Sequence, residues 1–196
     1  MAYLKDAESN EGILDKEYFF NLKSEMLENK KYKLSELLQN MMSEDGNTIT
    51  EFLISNINKI TLKNIFSDIG IPAPEKNYFS YKISCSDYSK FMRMLYSSTY
   101  INAENSEYVL QLLTKNNFKH GMKNSIPNNM VVSHQEGGFN ETTLSQVHES
   151  SIIYINENPV LITIMTEGKK AKDLNTVVAE ISKNIYSSVS FSSSEL

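Results

Sequence analysis

The 196 residues, 40% of them hydrophobic and 22% charged, suit one compact domain or most of a larger one. A net charge of −5 with scattered Lys and Arg offers no basic groove to phosphates, so no nucleic-acid partner is expected. The lone Cys85 excludes an internal disulfide, the runs Ile152–Ile155 and Val160–Met165 are too short for a transmembrane segment, and MAYLKDAESN lacks the basic-then-apolar order of a signal peptide.

In chain order, Leu34, Leu37, Leu38, Met41 and Met42 have the i, i+3, i+4, i+7, i+8 spacing of an amphipathic helix, which SEDGN ends. Ile49, Phe52, Leu53 and Ile57 repeat the spacing, and Leu62, Ile65, Phe66 and Ile69 do so again before Gly70 and Pro72. PAPEKNYFSYK, residues 72–82, reads as a loop. Ser84 and Asp87 form a capping box for a helix carrying Tyr88, Phe91, Met92 and Leu95. Asn102 caps the next helix, buried through Val109, Leu112 and Leu113 and ending near Thr114. Residues 115–130, KNNFKHGMKNSIPNNM, form a connection. Three strands are expected at Val131–Ser133, Ser150–Ile155 and Val160–Met165, the last two joined by an Asn156-Glu157-Asn158-Pro159 turn. Lys169–Ile185 closes the fold as a helix, and the Ser-rich end is expected to fray. The fold class is α+β: a helical part over 1–130, three strands and a helix over 131–188, and a tail over 189–196.

The stretch 131–168 holds most of the reactive side chains. His134, Glu136, Glu141, His148 and Glu149 are metal-binding types, but none follows H-x-x-x-H and no sulfur ligand accompanies them, so no metal is expected. Cys85 at a helix start has the position of an activated thiol, but it is read as a small residue in a capping segment. Gly137-Gly138 suits either close approach of a ligand to the backbone or a bulge or turn.

The order of segments carries more than any of these patterns. Phe91–Tyr96, Ser98–Asn102, Tyr108–Leu113, Gly121–Pro127 and His134-Gln135-Glu136-Gly137 succeed one another as do the helix, turn, second helix, Gly-Leu-Pro loop and Lys-Thr-Gly strand of the class A β-lactamase-like serine hydrolases. The stretch LSELLQNMMSEDGNTITEFLI, residues 34–54, resembles the helix, Ser-Asp-Asn loop and helix of the same penicillin-recognising fold. The resemblance spans nearly the whole chain.

It implies acyl transfer on β-lactam or peptidoglycan-like small molecules, with no cofactor, by proteins that usually act outside the cytoplasm. Asp45-Gly46-Asn47 takes the Ser-Asp-Asn position, and Gln135-Glu136-Gly137 the Lys-Thr-Gly position. The site residues so implied are Asp45, Asn47, Gln135 and Gly137 for catalysis and His134, Glu136 and Gly138 for substrate binding, with His134 expected to pack beside the strand. Glu75 and Asn77 are spaced wrongly for the Glu-x-x-x-Asn deacylation signature. MAYLKDAESN resembles the segment after the S-x-x-K helix, which places the nucleophile before Met1 and makes 1–196 a single partial domain. Val160–Met165 is then expected to present an unpaired edge. The alternatives are a catalytically silent binding module of this fold and an interaction protein that shares only its architecture.

Overall fold

The structure, a computed structural model, describes residues 1–20, 30–41, 46–74, 81–115, 120–155 and 158–192. These form two compact units, Met1–Lys82 with Met94–Asn117, and Ile83–Arg93 with Phe118–Leu196.

The first unit is mainly helical. Helix α1 (Ala2–Ser9) precedes a 3-10 turn and the antiparallel pair β1 (Glu17–Phe19) and β2 (Lys31–Lys33), in which Tyr18 faces Tyr32. None of these four elements follows from apolar spacing. α1 offers only Tyr3 and Leu4 to the interior, and a contact distant in sequence holds it: the Tyr3 hydroxyl donates to the Leu53 carbonyl at 2.7 Å. The Tyr3 ring meets Tyr18 edge-on, Tyr18 meets Phe52, and Phe20 lies 5.2 Å from Phe52 between centroids, so the aromatic residues join α1 and the hairpin to the helices.

The expected helices are present. They are α2 (Leu34–Asn40), α3 (Gly46–Asn56) and α4 (Lys59–Ile69), with Leu34, Leu37, Ile49, Leu53 and Ile65 buried. α4 starts on Asn58, whose side chain accepts the Ile60 N–H at 2.9 Å, and stops at Gly70. Helix α5 (Cys85–Ser97) opens on the Ser84 box: Ser84 Oγ accepts the Asp87 N–H at 3.0 Å and donates to the Asp87 carboxylate at 2.8 Å. Helix α6 (Ala103–Thr114) opens on Asn102, which accepts the Asn105 N–H at 2.8 Å.

The second unit is an antiparallel sheet of order β3-β4-β5, formed by β3 (Val132–Asn140), β4 (Ser145–Ile155) and β5 (Asn158–Gly168) and packed by α7 (Ala171–Ser192). Each strand is longer than its aliphatic run, because the polar residues between and beyond those runs continue the ladder. Asn158 and Pro159 belong to β5 rather than to the expected turn, since Ile155 pairs with Asn158 and Tyr154 with Pro159. Pro159 is tolerated near the start of a strand with no second neighbour among the described residues. The expected frayed tail is corrected as far as Ser192, to which α7 runs with Ile185, Tyr186 and Val189 packed against the core, while the rest of that tail, 193–196, lies outside the described residues.

Side chains alternate along a strand, so register decides which residues share a face. Val147, Ile153, Ile162 and Ile164 point to one face and join Leu174 and Val178 of α7, with Met122 and Ile126, in the buried cluster. Among the described residues, no helix is long and apolar enough to cross a membrane.

Candidate functional site

The β3–β4 hairpin turns at Glu141–Leu144, closed by the Glu141 N–H donating to the Leu144 carbonyl at 2.9 Å. That turn fixes the pairs His134 with Ser151, Gln135 with Ser150, Glu136 with Glu149 and Gly137 with His148. The expected site residues therefore divide. Gln135 and Gly137 lie on the face away from α7, while His134, Glu136 and Gly138 belong to the aliphatic face that α7 covers.

Away from α7, the hydroxyl groups are neutral and paired, while His148 on the same face leaves Nδ1 without a hydrogen-bond partner among the described residues. Ser150 Oγ lies 2.7 Å from Thr163 Oγ1, and Ser133 Oγ 3.3 Å from the Tyr154 hydroxyl. Gln135 Nε2 donates to the Glu136 carbonyl at 2.7 Å. A side chain at Gly137 would make only ordinary contact with the Tyr88 hydroxyl, 3.6 Å away. Gly138 differs: its φ is +146°, and a Cβ there would stand 2.1 Å from the Gln146 carbonyl oxygen. Close approach of β4 explains this glycine. Cys85 is exposed and its thiol donates to the Thr163 carbonyl at 3.4 Å.

The α7 face holds an ionisable cluster inside an aliphatic layer. His134 is 2% exposed and Glu149 fully buried. One ligand atom from each of His134, Glu136 and Glu149 lies within 4.8 Å of the other two. Ser151 Oγ is 2.6 Å from His134 Nδ1 and fixes the ring. Glu149 Oε2 accepts the Met122 N–H at 2.8 Å, while Glu149 Oε1 and Glu136 Oε2 have no hydrogen-bond partner among the described residues. Gly121, with φ +61°, makes room for this carboxylate, since a Cβ there would fall 1.6 Å from Glu149 Oε1.

Burial governs the protonation of this cluster. It pushes the Glu149 carboxyl up to about 7, against the Met122 N–H and with the neighbouring Glu136 adding to the rise. Burial also raises Glu136, which the nearby His120 opposes. His134 is lowered to about 4, first by burial and then by the charge of Lys123. The 4.0 Å approach of His134 Nε2 to Glu149 Oε2 is thus not a salt bridge at neutral pH, because the imidazole is uncharged.

The other candidates stand elsewhere. Asn47 lies exposed in the first turn of α3, in the first unit, and Asp45, Glu75 and Asn77 lie outside the described residues. Glu141 is exposed at the hairpin turn, and His148 is on the strand face opposite the cluster. The sequence places the metal-type residues in one stretch without the H-x-x-x-H spacing of a helix. The alternation of His134 and Glu136 and a hairpin register pairing Glu136 with Glu149 are the signals that unite them.

A helical unit and an antiparallel sheet covered by a long C-terminal helix define a β-lactamase/transpeptidase-like α+β fold. The chain belongs to the beta-lactamase enzyme family, whose sequence profile it matches over residues 2–189. Among solved structures it is similar to the TLA-1 extended-spectrum β-lactamase, with a TM-score of 0.79 and 16% identity over 96% of this chain and 80% of that one. A class A β-lactamase from Mycobacterium abscessus gives a TM-score of 0.77 and 15% identity over 96% and 80% of the two chains. PBP-A gives a TM-score of 0.74 and 12% identity over 96% and 76%. No protein of curated function matches the chain.

Proposed function

We propose that this chain is an acyl-transfer protein of the β-lactamase and penicillin-binding type, with the β3 face bearing Gln135 and Gly137 receiving a β-lactam or peptidoglycan-like ligand. The match over residues 2–189 carries the reading. It is supported by the similarity in fold to a PBP-A variant described as an acyl-enzyme complex with penicillin G.

In the resemblance, Gln135 stands where a lysine would pair with a substrate carboxylate. Glutamine keeps N–H donors and loses the charge. A charged hydrogen bond is worth about 1.5–3 kcal/mol and a neutral one about 0.5–1.5 kcal/mol, so the exchange weakens carboxylate binding by about 10-fold. Acylation needs an activated serine, and no S-x-x-K stands within the 196 residues. These residues alone are therefore expected to bind a penicillin reversibly and form no adduct.

Mass spectrometry after incubation with a labelled penicillin tests this. The expected spectrum shows unmodified protein, and Gln135→Lys tightens reversible binding by about 10-fold without creating an adduct. A stoichiometric acyl-enzyme on any serine of the chain, lost when that serine becomes alanine, overturns the expectation that these residues lack the nucleophile. A second reading, a silent binding module, is favoured by the replacement of a Lys-Thr-Gly-like sequence with Gln135-Glu136-Gly137. Joining an S-x-x-K helix ahead of Met1 separates the two: acylation supports the enzyme, and binding without acylation supports the module.

A further inference from the structure

We propose that His134, Glu136 and Glu149 form a site for a divalent transition-metal cation, with zinc the ion to test, on the α7 face of the sheet. Strand geometry builds the site. His134 and Glu136 are two residues apart on β3 and share a face, and Glu149 is the cross-strand partner of Glu136. Their ligand atoms converge within 4.8 Å, so small side-chain rotations bring them to the approximately 2.0–2.2 Å that zinc requires of imidazole and carboxylate.

The surroundings call for a positive charge. Two carboxylates directly opposite each other are mutually repulsive even on an exposed sheet, and here one is fully buried among Val147, Ile153, Ile162 and Ile164. Glu149 Oε1 and Glu136 Oε2 lack hydrogen-bond donors among the described residues. A buried carboxylate left so costs several kcal/mol unless a proton or a cation neutralises it. The imidazole supplies no charge, and Lys123, which bears on His134, is exposed on the 3-10 turn. A divalent ion would neutralise both carboxylates at once.

The ligands are also held in place. The His134 tautomer that donates from Nδ1 to Ser151 Oγ leaves a lone pair on Nε2, an arrangement common behind metal-bound histidines. The Met122 N–H anchors Glu149 Oε2 and leaves Oε1 available. Glu136, only partly buried, gives the ion a way in. One imidazole and two carboxylates suit zinc and similar first-row ions better than a soft, sulfur-seeking metal. The site faces away from Gln135 and Gly137, so it stands or falls apart from the ligand reading above.

Zinc binding by the chelator-stripped chain, measured calorimetrically and by competition with a chromogenic chelator, tests the assignment. One equivalent is expected, with a Kd below about 10 µM, and cobalt(II) is expected to take its place with visible d–d absorption. Glu136→Gln and Glu149→Gln should each weaken zinc by at least about 10-fold, the loss typical even of outer-shell changes. Because Glu149 is buried, Glu136→Gln decides if the other variant fails to fold. His148→Ala and Glu141→Gln, the two metal-type positions that the fold leaves out, should bind zinc as the parent does. Zinc bound equally well by both glutamine variants, or no stoichiometric binding below about 100 µM, overturns the site.

Discussion

The two faces of the β3-β4-β5 sheet handle polar groups by opposite means. Away from α7, Ser150 meets Thr163 and Ser133 meets Tyr154 through neutral hydroxyls, each of which can donate and accept. Toward α7, Glu136 and Glu149 are acceptors only when ionised, and two of their oxygens are unpaired among the described residues, within an aliphatic layer. Those hydroxyl pairs close on themselves, leaving His148 Nδ1 as the unpartnered buried atom of that face among the described residues. The carboxylate pair needs a proton or a cation, so the same strands carry a structural polar seam on one side and an unfinished charged one on the other.

Substitutions at four places break or sharpen that contrast. Ile153→Ala removes a fully buried side chain from the α7 face and should destabilise the chain by about 3–4 kcal/mol, read as a lower urea midpoint with unchanged slope. Next is Gly138→Ala, which forces a side chain toward the Gln146 carbonyl at φ +146°; a loss of about 2–3 kcal/mol is expected, while Gly137→Ala, whose Cβ would make only ordinary contact with the Tyr88 hydroxyl, should stay within about 1 kcal/mol. Equal costs at the two glycines would show that the tight approach of β4 is wrong. On the hydroxyl face, Ser150→Ala or Thr163→Val should each cost about 1 kcal/mol, and the double variant less than their sum, because both break one hydrogen bond. The smallest effect belongs to Gln135→Lys, expected within about 0.5 kcal/mol in thermal unfolding at a partly exposed strand position; a large loss there would show that Gln135 holds the fold rather than facing a ligand.

Much of this organisation was legible in the sequence. The helices α2 to α6 follow from apolar spacing, and Ser84 and Asn102 cap where their side chains can accept the first free N–H groups. The order of segments led to the family. What remained hidden depends on contacts distant in sequence: α1 is held by Tyr3 reaching Leu53, and β1 and β2 are three residues each, too short for any pattern. The expected strand ends at Ser133, and Gly137-Gly138 suits close approach of a ligand or a bulge or turn, yet the ladder continues through both glycines to Asn140. The buried cluster was missed for a related reason. His134 and Glu149 are neighbours only once the hairpin folds, and a test for helical spacing does not see a strand pair.

Gly138 also bears on how β3 finds its partner. Aliphatic burial usually fixes strand register, because a one-residue slip turns every side chain to the other face. β3 offers little of that guidance: Val132 alone among its residues packs against the aliphatic cluster, and Val131 just before it could take the same place. Shifting β3 one way would bring Phe139 opposite Val147, where Gly138 now sits with no room for a Cβ. Shifting it the other way would put Gly137 there, which fits, and would turn Gln135 inward in place of His134 and Glu136. The pairing of this strand is thus guarded sterically from one side only, which makes β3 the strand of this sheet most open to misalignment during folding.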